Sequence, residues 1–213
     1  MTAWTDAERA LPRLHLVTDD RVLAGAGFVA TARALLSAGG KRVAFHLRGP
    51  ATAGGRLYEL ASSLRDAARA SGSLLLVNDR VDVALASGAD GVQLGLHGLV
   101  PADARLLLGA GAFIGASVHA GAEAREAFGE GVDFVLAGTL YESLSHPGRP
   151  PTGLAWLARI GSAAGRVIGI GGITPPRVAP VLESGAYGVA VLSAVWMAPR
   201  PADSLNLFMK ALY

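Results

Sequence analysis

A guanidinium, a carboxamide beside a carboxylate, a hydroxyl and an imidazole stand at the downstream ends of short apolar runs. They are Arg48 after Val43–Leu47, Asn78-Asp79 closing Leu74–Asn78, and Ser117 and His119 beyond Phe113. Further on, Val167-Ile168-Gly169-Ile170 runs into Gly171-Gly172-Ile173-Thr174-Pro175. Glycines there bare backbone N–H groups, and a helix start soon after adds a positive dipole end, a combination suited to phosphate. A second turn of this kind follows Ala190-Val191-Leu192-Ser193. The phosphate site is therefore expected on Gly171, Gly172, Val191 and Ser193. Arginine meets anions through a planar fork, and imidazole exchanges protons near neutral pH. Holding a small phosphorylated anion and moving a proton on it is the chemistry these types allow. The two lysines, Lys41 and Lys210, lie before an apolar strand and in the last helical segment, so neither is expected at the cradle.

The elements that position these groups follow from alternation. Strands are predicted at 14–18, 43–47, 74–78, 91–94, 113–117, 133–137, 167–170 and 187–192. Helical segments are predicted at 28–38, 55–70, 80–86, 101–108, 122–128, 153–162, 177–184 and 203–212. Strands alternating with helices imply a parallel sheet with crossover helices. Two closures compete, a (β/α)8 TIM barrel and an open doubly wound sheet. The first strand lacks a following G-x-G-x-x-G turn, and the phosphate-type turns come after the last two strands, so the barrel is preferred. No change of composition divides the chain, so residues 1–213 are expected to form one barrel domain with residues 1–13 as an N-terminal arm. Ser145–Thr152 reads as a long loop over the active face.

Barrel chemistry belongs at the C-terminal ends of strands, and period-two alternation assigns the faces. Ala44, His46 and Arg48 share the inward parity, as do Gly115, Ser117 and His119. Strand four offers Gln93, and strand six runs out into Tyr141, Glu142, Ser143 and His146. Arg48, Asn78, Asp79, Gln93, Ser117 and Ser143 are thus the candidate substrate contacts, with His119 the candidate acid–base. Asn78 and Asp79 could instead cap the helix opening at Arg80. His97 and His146 read as loop residues, and His15 and His46 as interior packing.

Composition narrows the classes. Hydrophobic residues make up 51%, enough for a large core, and the formal net charge is only +2. Without a run of basic residues, nucleic acid is not an expected partner. The chain has no cysteine, which removes disulfides, thiolate metal sites and cysteine nucleophiles together. No apolar stretch has the length for a membrane span, and Met1–Arg13 carries acids and lacks the apolar stretch of a signal peptide, so a cytoplasmic protein is expected. No metal site is expected, because Asp79 is a single acid at a strand end and the turn after strand four, Leu96-His97-Gly98, adds no second Asp or Glu; a homodimer is possible.

Taken in order, Leu16-Val17-Thr18-Asp19, Leu47-Arg48, Asn78-Asp79-Arg80-Val81-Asp82, Ala89-Asp90-Gly91-Val92-Gln93-Leu94 and Gly115-Ala116-Ser117-Val118-His119 resemble the thiamine phosphate synthase/TenI superfamily of (β/α)8 barrels. Asp133–Gly138, Ile170-Gly171-Gly172-Ile173 and Gly188–Ser193 continue the likeness over nearly the whole chain. The synthase branch joins a pyrimidine pyrophosphate to a thiazole phosphate with Mg2+. Its pattern carries Arg-Glu-Lys after strand two, an Asp after strand four and Thr-x-Thr-Lys after strand six. Here those places read Arg48-Gly49-Pro50, Leu96-His97-Gly98 and Ser143-Leu144-Ser145-His146. The Ser-Val-His and Tyr-Glu-Ser segments are closer to the TenI-like thiazole tautomerases, which shift a proton to make a thiazole carboxylate phosphate aromatic. That resemblance implies His119 as general acid–base, Arg48 near the substrate carboxylate, a phosphorylated thiazole as partner and no cofactor. The alternatives are a divergent synthase, with Mg2+ on Asp79, and a non-catalytic thiazole-phosphate-binding regulator.

Overall fold

Each strand is a short apolar run whose residues are almost all buried, as a parallel sheet covered by helices demands. The computed structural model describes residues 10–95, 98–143, 150–161 and 165–213. Its strands are β1 (Leu14–Val17), β2 (Val43–Leu47), β3 (Leu74–Asn78), β4 (Gly91–Leu94), β5 (Phe113–Val118), β6 (Phe134–Gly138), β7 (Val167–Ile170) and β8 (Gly188–Val191). They close in sequence order into an all-parallel barrel, with Leu14 opposite Val189 at the seam. The preferred (β/α)8 architecture is therefore the one observed.

The helices are α1 (Asp20–Leu23), α2 (Phe28–Gly39), α3 (Gly54–Ser71), α4 (Val81–Ser87), α5 (Pro101–Leu108), α6 (Gly121–Gly129), α7 (Leu154–Gly161), α8 (Val178–Glu183), α9 (Ser193–Trp196) and α10 (Pro201–Leu212). Alternation sorts the strand residues into two cores. Val43, Phe45 and Leu47 of β2 face the helices, together with Leu75, Val77, Ile114 and Ala116. Ala44, Leu74, Leu76, Phe113, Phe134 and Ile168 fill the barrel interior. β6 begins one residue later than the sequence pattern suggested. Asp133 stays outside it because its carboxylate accepts the Ile114 N–H at 2.8 Å.

Of the expected N-terminal arm, residues 11–13 are bonded into the barrel floor. Leu11 is buried, and its carbonyl accepts the Tyr187 hydroxyl. Arg13 donates through Nε to Tyr187 O and through Nη1 to Leu212 O, while its N–H meets the Tyr213 hydroxyl. The first strand is thus latched to the last helix.

Candidate active site

The downstream ends of the strands open into a cavity of about 650 Å3. Arg48, Asn78, Ser117, His119, Ser143, Gly171, Gly172, Val191 and Ser193 all line it, so most of the expected site residues do meet. Arg48 owes its place to Thr18, a fully buried residue just past β1. The Thr18 hydroxyl accepts the Arg48 N–H at 2.8 Å and donates to the Arg48 carbonyl at 2.9 Å, which fixes the backbone where the guanidinium leaves the sheet. Beyond it, the Asp20 carboxylate accepts the Thr52 hydroxyl at 2.6 Å and the Ala51 N–H at 3.1 Å. That hydroxyl above all, with the Ala51 amide and the Arg48 charge, holds Asp20 below the usual carboxylate range.

Two expected contacts are placed differently. Gln93 is 1% exposed and does not line the cavity. Its side chain lies over Gly115 on the neighbouring strand, where a Cβ would collide with Oε1, and its Nε2 donates to the Ser117 hydroxyl at 3.1 Å. Gln93 therefore supports Ser117 from below. Asp79 adopts a left-handed backbone with φ of 62°, which swings its carboxylate across to the turn after β4. There Oδ1 accepts the Gly95 N–H at 2.7 Å. The capping alternative is set aside, since α4 begins after Arg80 without a side-chain cap.

Among the described residues there is no group of three or more His, Cys, Asp or Glu that could hold a metal. Asp79 offers one carboxylate oxygen beyond the bond to Gly95. One carboxylate plus substrate phosphates is a recognised way of holding Mg2+. His97, His146 and most of Ser145–Thr152 lie outside the described residues.

His119 is partly exposed at the rim. Glu123, in the first turn of α6, accepts the His119 backbone N–H at 2.6 Å and lies 3.9 Å from its Nδ1. The same carboxylate thus secures the strand exit and stands beside the imidazole.

The opposite side is built from backbone. Gly171 (φ 104°) and Gly172 (φ 61°) take conformations that side-chain-bearing residues resist. A Cβ on Gly171 would lie 2.9 Å from Thr139 Cα, and one on Gly172 would strike the Glu142 carbonyl. Their carbonyls are occupied, Gly171 O by Tyr141 N–H and Gly172 O by Arg177 Nη1–H. Among the described residues, no backbone acceptor takes the N–H of Gly171, Gly172 or Leu192. These amides are available to an anion. Trp196 anchors the β8 side, donating Nε1–H to Val17 O at 2.9 Å and packing edge-on against Phe45.

Sequence reading overlooked Arg177. It lines the cavity, and its guanidinium sits 4.3 Å over the Tyr141 ring while bonding Gly172 O. A signal was available, because a cation just before the first turn of α8 opposes the helix dipole and calls for another use. Thr139, at the exit of β6, and Met197, at the C-terminal end of α9, also line the cavity and carried no chemical signature.

With this geometry in view, the comparisons are direct. A family model described as thiamine monophosphate synthase matches residues 14–195. The chain belongs to the thiamine monophosphate synthase family. It is 41% identical over 184 residues to the thiamine-phosphate synthase of Methanoculleus marisnigri, covering 85% of this chain and 86% of that protein. It is 48% identical over 153 residues to the bifunctional ThiM/ThiE thiamine biosynthesis protein of Symbiobacterium thermophilum. That match takes in 71% of this chain but only 32% of the bifunctional protein, so the chain spans about a third of it. Among solved structures, thiamine phosphate pyrophosphorylase from Pyrococcus furiosus superposes with a TM-score of 0.80 at 33% identity, covering 94% of this chain and 95% of that one. The superfamily resemblance and its link to thiamine biosynthesis stand; nothing in these relatives' names points to the tautomerase branch.

Proposed function

We propose that the chain is a thiamine phosphate synthase, joining a pyrimidine pyrophosphate to a thiazole phosphate. This is the alternative from the sequence reading, promoted over the tautomerase because full-length relatives carry the synthase name. The observation that carries it is a pair of separate anion stations in one cavity, Arg48 on the β2 side and the Gly171, Gly172 and Leu192 amides with Arg177 on the other. Two phosphorylated reactants need two such stations. In the coupling, a bond forms from the thiazole ring nitrogen to the pyrimidine methylene carbon. The bond from that carbon to pyrophosphate oxygen breaks, and pyrophosphate leaves with the electron pair. Arg48 holds and neutralises the departing pyrophosphate. The glycine amides and Arg177 hold the thiazole phosphate, which fixes the attacking nitrogen in line. Asp79 would hold Mg2+ jointly with pyrophosphate oxygens, and the ion would supply positive charge to the leaving group.

One observation favours a second reading. His119 lines the cavity beside Glu123, while Gly49 and Pro50 stand where the synthase pattern carries charge. An imidazole so placed suits the proton shift of a thiazole tautomerase. The deciding experiment incubates the protein with hydroxymethylpyrimidine pyrophosphate, thiazole phosphate and Mg2+. Thiamine phosphate is the expected product, and His119→Ala keeps its rate within about fivefold, since no proton transfer to that ring is needed. Isomerisation of the thiazole carboxylate phosphate without coupling, with a loss of about 100-fold in His119→Ala, would select the tautomerase. Binding without either reaction would select the regulator.

A further inference from the structure

Beneath the cavity, two histidines share the closed interior of the barrel. His15 and His46 are each 0% exposed, and His15 Nδ1 lies 2.7 Å from His46 Nε2. The other nitrogen of His15, Nε2, lies 3.0 Å from the Pro12 carbonyl. Phe134 walls both rings, with centroids 5.1 Å from His15 and 6.1 Å from His46. Among the described residues, the buried side-chain nitrogen and oxygen atoms without a hydrogen-bond partner are His46 Nδ1, Asn78 Oδ1 and Gln93 Oε1.

Proton counting fixes the arrangement. The Pro12 carbonyl only accepts, so His15 Nε2 carries hydrogen. A neutral His15 then accepts at Nδ1, which obliges His46 Nε2 to donate. A neutral His46 is left with a bare acceptor at Nδ1. Burial favours the neutral form of both rings, and the β2–β3 register sets Leu76 beside His46, with Asn78 two residues on along the same inward face. The Asn78 oxygen and His46 Nδ1 are both unpartnered acceptors. A carboxamide exchanges its oxygen and nitrogen by a half-turn about its terminal bond. One half-turn of the Asn78 amide would turn a donor toward His46 Nδ1.

We propose that His15 and His46 are positioning residues that lock the Asn78 amide, with one N–H held on His46 Nδ1 and the oxygen turned away from the imidazole. The chain of donors starts at a backbone carbonyl, which never reverses, so the polarity Asn78 presents to the cavity is set from the barrel floor. A free amide would offer oxygen or nitrogen to a ligand alike; this one offers a single pattern. The proposal rests on Asn78 belonging to the substrate cavity, not on which reaction occurs there.

Nitrogen-15 NMR of the intact protein tests it without any turnover. At neutral pH both rings are expected to be neutral, each protonated at Nε2, with the Asn78 side-chain N–H correlated to His46 Nδ1 across a hydrogen bond. Variants His15→Gln and His46→Gln assign the signals among the five histidines of the chain. In His46→Phe, which removes the acceptor, hydrogen exchange of the Asn78 amide accelerates at least about tenfold. In His46→Gln, whose oxygen can accept, protection is kept. An Nδ1-protonated or charged ring at either position overturns the proposal, and so does equal Asn78 exchange in the Phe and Gln variants. The wild-type spectrum decides even where a variant fails to fold. Failure of the synthase assay would leave these signals unchanged, so the two readings fail separately.

Discussion

The β2–β5 side of the cavity and its β7–β8 side prepare for anions by different means. On the first, side chains do the work: Arg48, Asn78, Ser117 and His119 each leave a strand end with a second residue beneath or beside it. Thr18 clips Arg48, Gln93 holds Ser117, and Glu123 secures His119. On the second, bare amides line the cavity, held open by glycine conformations and by the Trp196 anchor. Side-chain sites can be retuned one residue at a time, whereas a backbone site tolerates little, because any Cβ alters the ligand surface itself.

The sharpest way to break this contrast is Arg48→Ala. Loss of the pyrophosphate cation is expected to lower kcat/KM by about 100- to 1,000-fold. Unfolding midpoints should hardly move, since Thr18 grips the Arg48 backbone and not its side chain. Arg48→Lys should recover only a small part, lacking the fork. A fall below tenfold would deny Arg48 its role.

Gly172→Ala comes next. The left-handed φ of 61° and the collision with Glu142 O force the turn to shift. The thiazole phosphate KM should rise by about 30-fold and stability fall by about 1–3 kcal/mol. Unchanged stability with normal KM would show that the glycine conformation is dispensable. Arg177→Ala is predicted to raise the same KM about tenfold with kcat nearly constant, as for loss of uniform binding. Tyr141→Leu, which removes only the ring under Arg177, should cost about threefold. Initial-rate kinetics separate these outcomes.

The smallest effect at the mouth comes from the floor. Burial lowers His15 from 6.5 to about 3 and His46 well below 6.5. Unfolded chains therefore take up protons below about pH 6.5 that the native rings refuse, so stability falls as pH drops through that window. The slope is up to about 1.4 kcal/mol per pH unit for each ring. Denaturant titrations of His15→Phe between pH 6 and 4 should show a slope shallower by that amount. An equal slope in wild type and variant would mean that His15 is charged inside the barrel.

Much of this was legible beforehand because it depends on period and position alone. Eight runs with period-two parity gave the barrel, and strand-end location picked out Arg48, Ser117, His119 and the paired glycines. What stayed hidden depends on neighbours in space. Gln93 looked like a ligand because its parity is inward; its burial comes from the missing Cβ of Gly115 on β5. Asp79 looked like a substrate contact or a cap, yet one positive φ redirected it. His15 and His46 were read as packing, which they are, but their pairing needs the β1–β2 register that sets Val17 beside His46. Arg177 reaches the cavity from beyond a Pro-Pro turn, along a path set by Gly172 O and the Tyr141 ring.

The latch between Arg13 and the segment from Tyr187 to Tyr213 has a consequence for assembly on the ribosome. Within the barrel β1 is made before every other strand, while its second neighbour β8 and its covering helix α10 come last in chain order. Most of the ring must wait as an open sheet with β1 unpaired along one side. Closure of that gap by residues 187–213 is a late, long-range step, and until then the free edge of β1 is exposed.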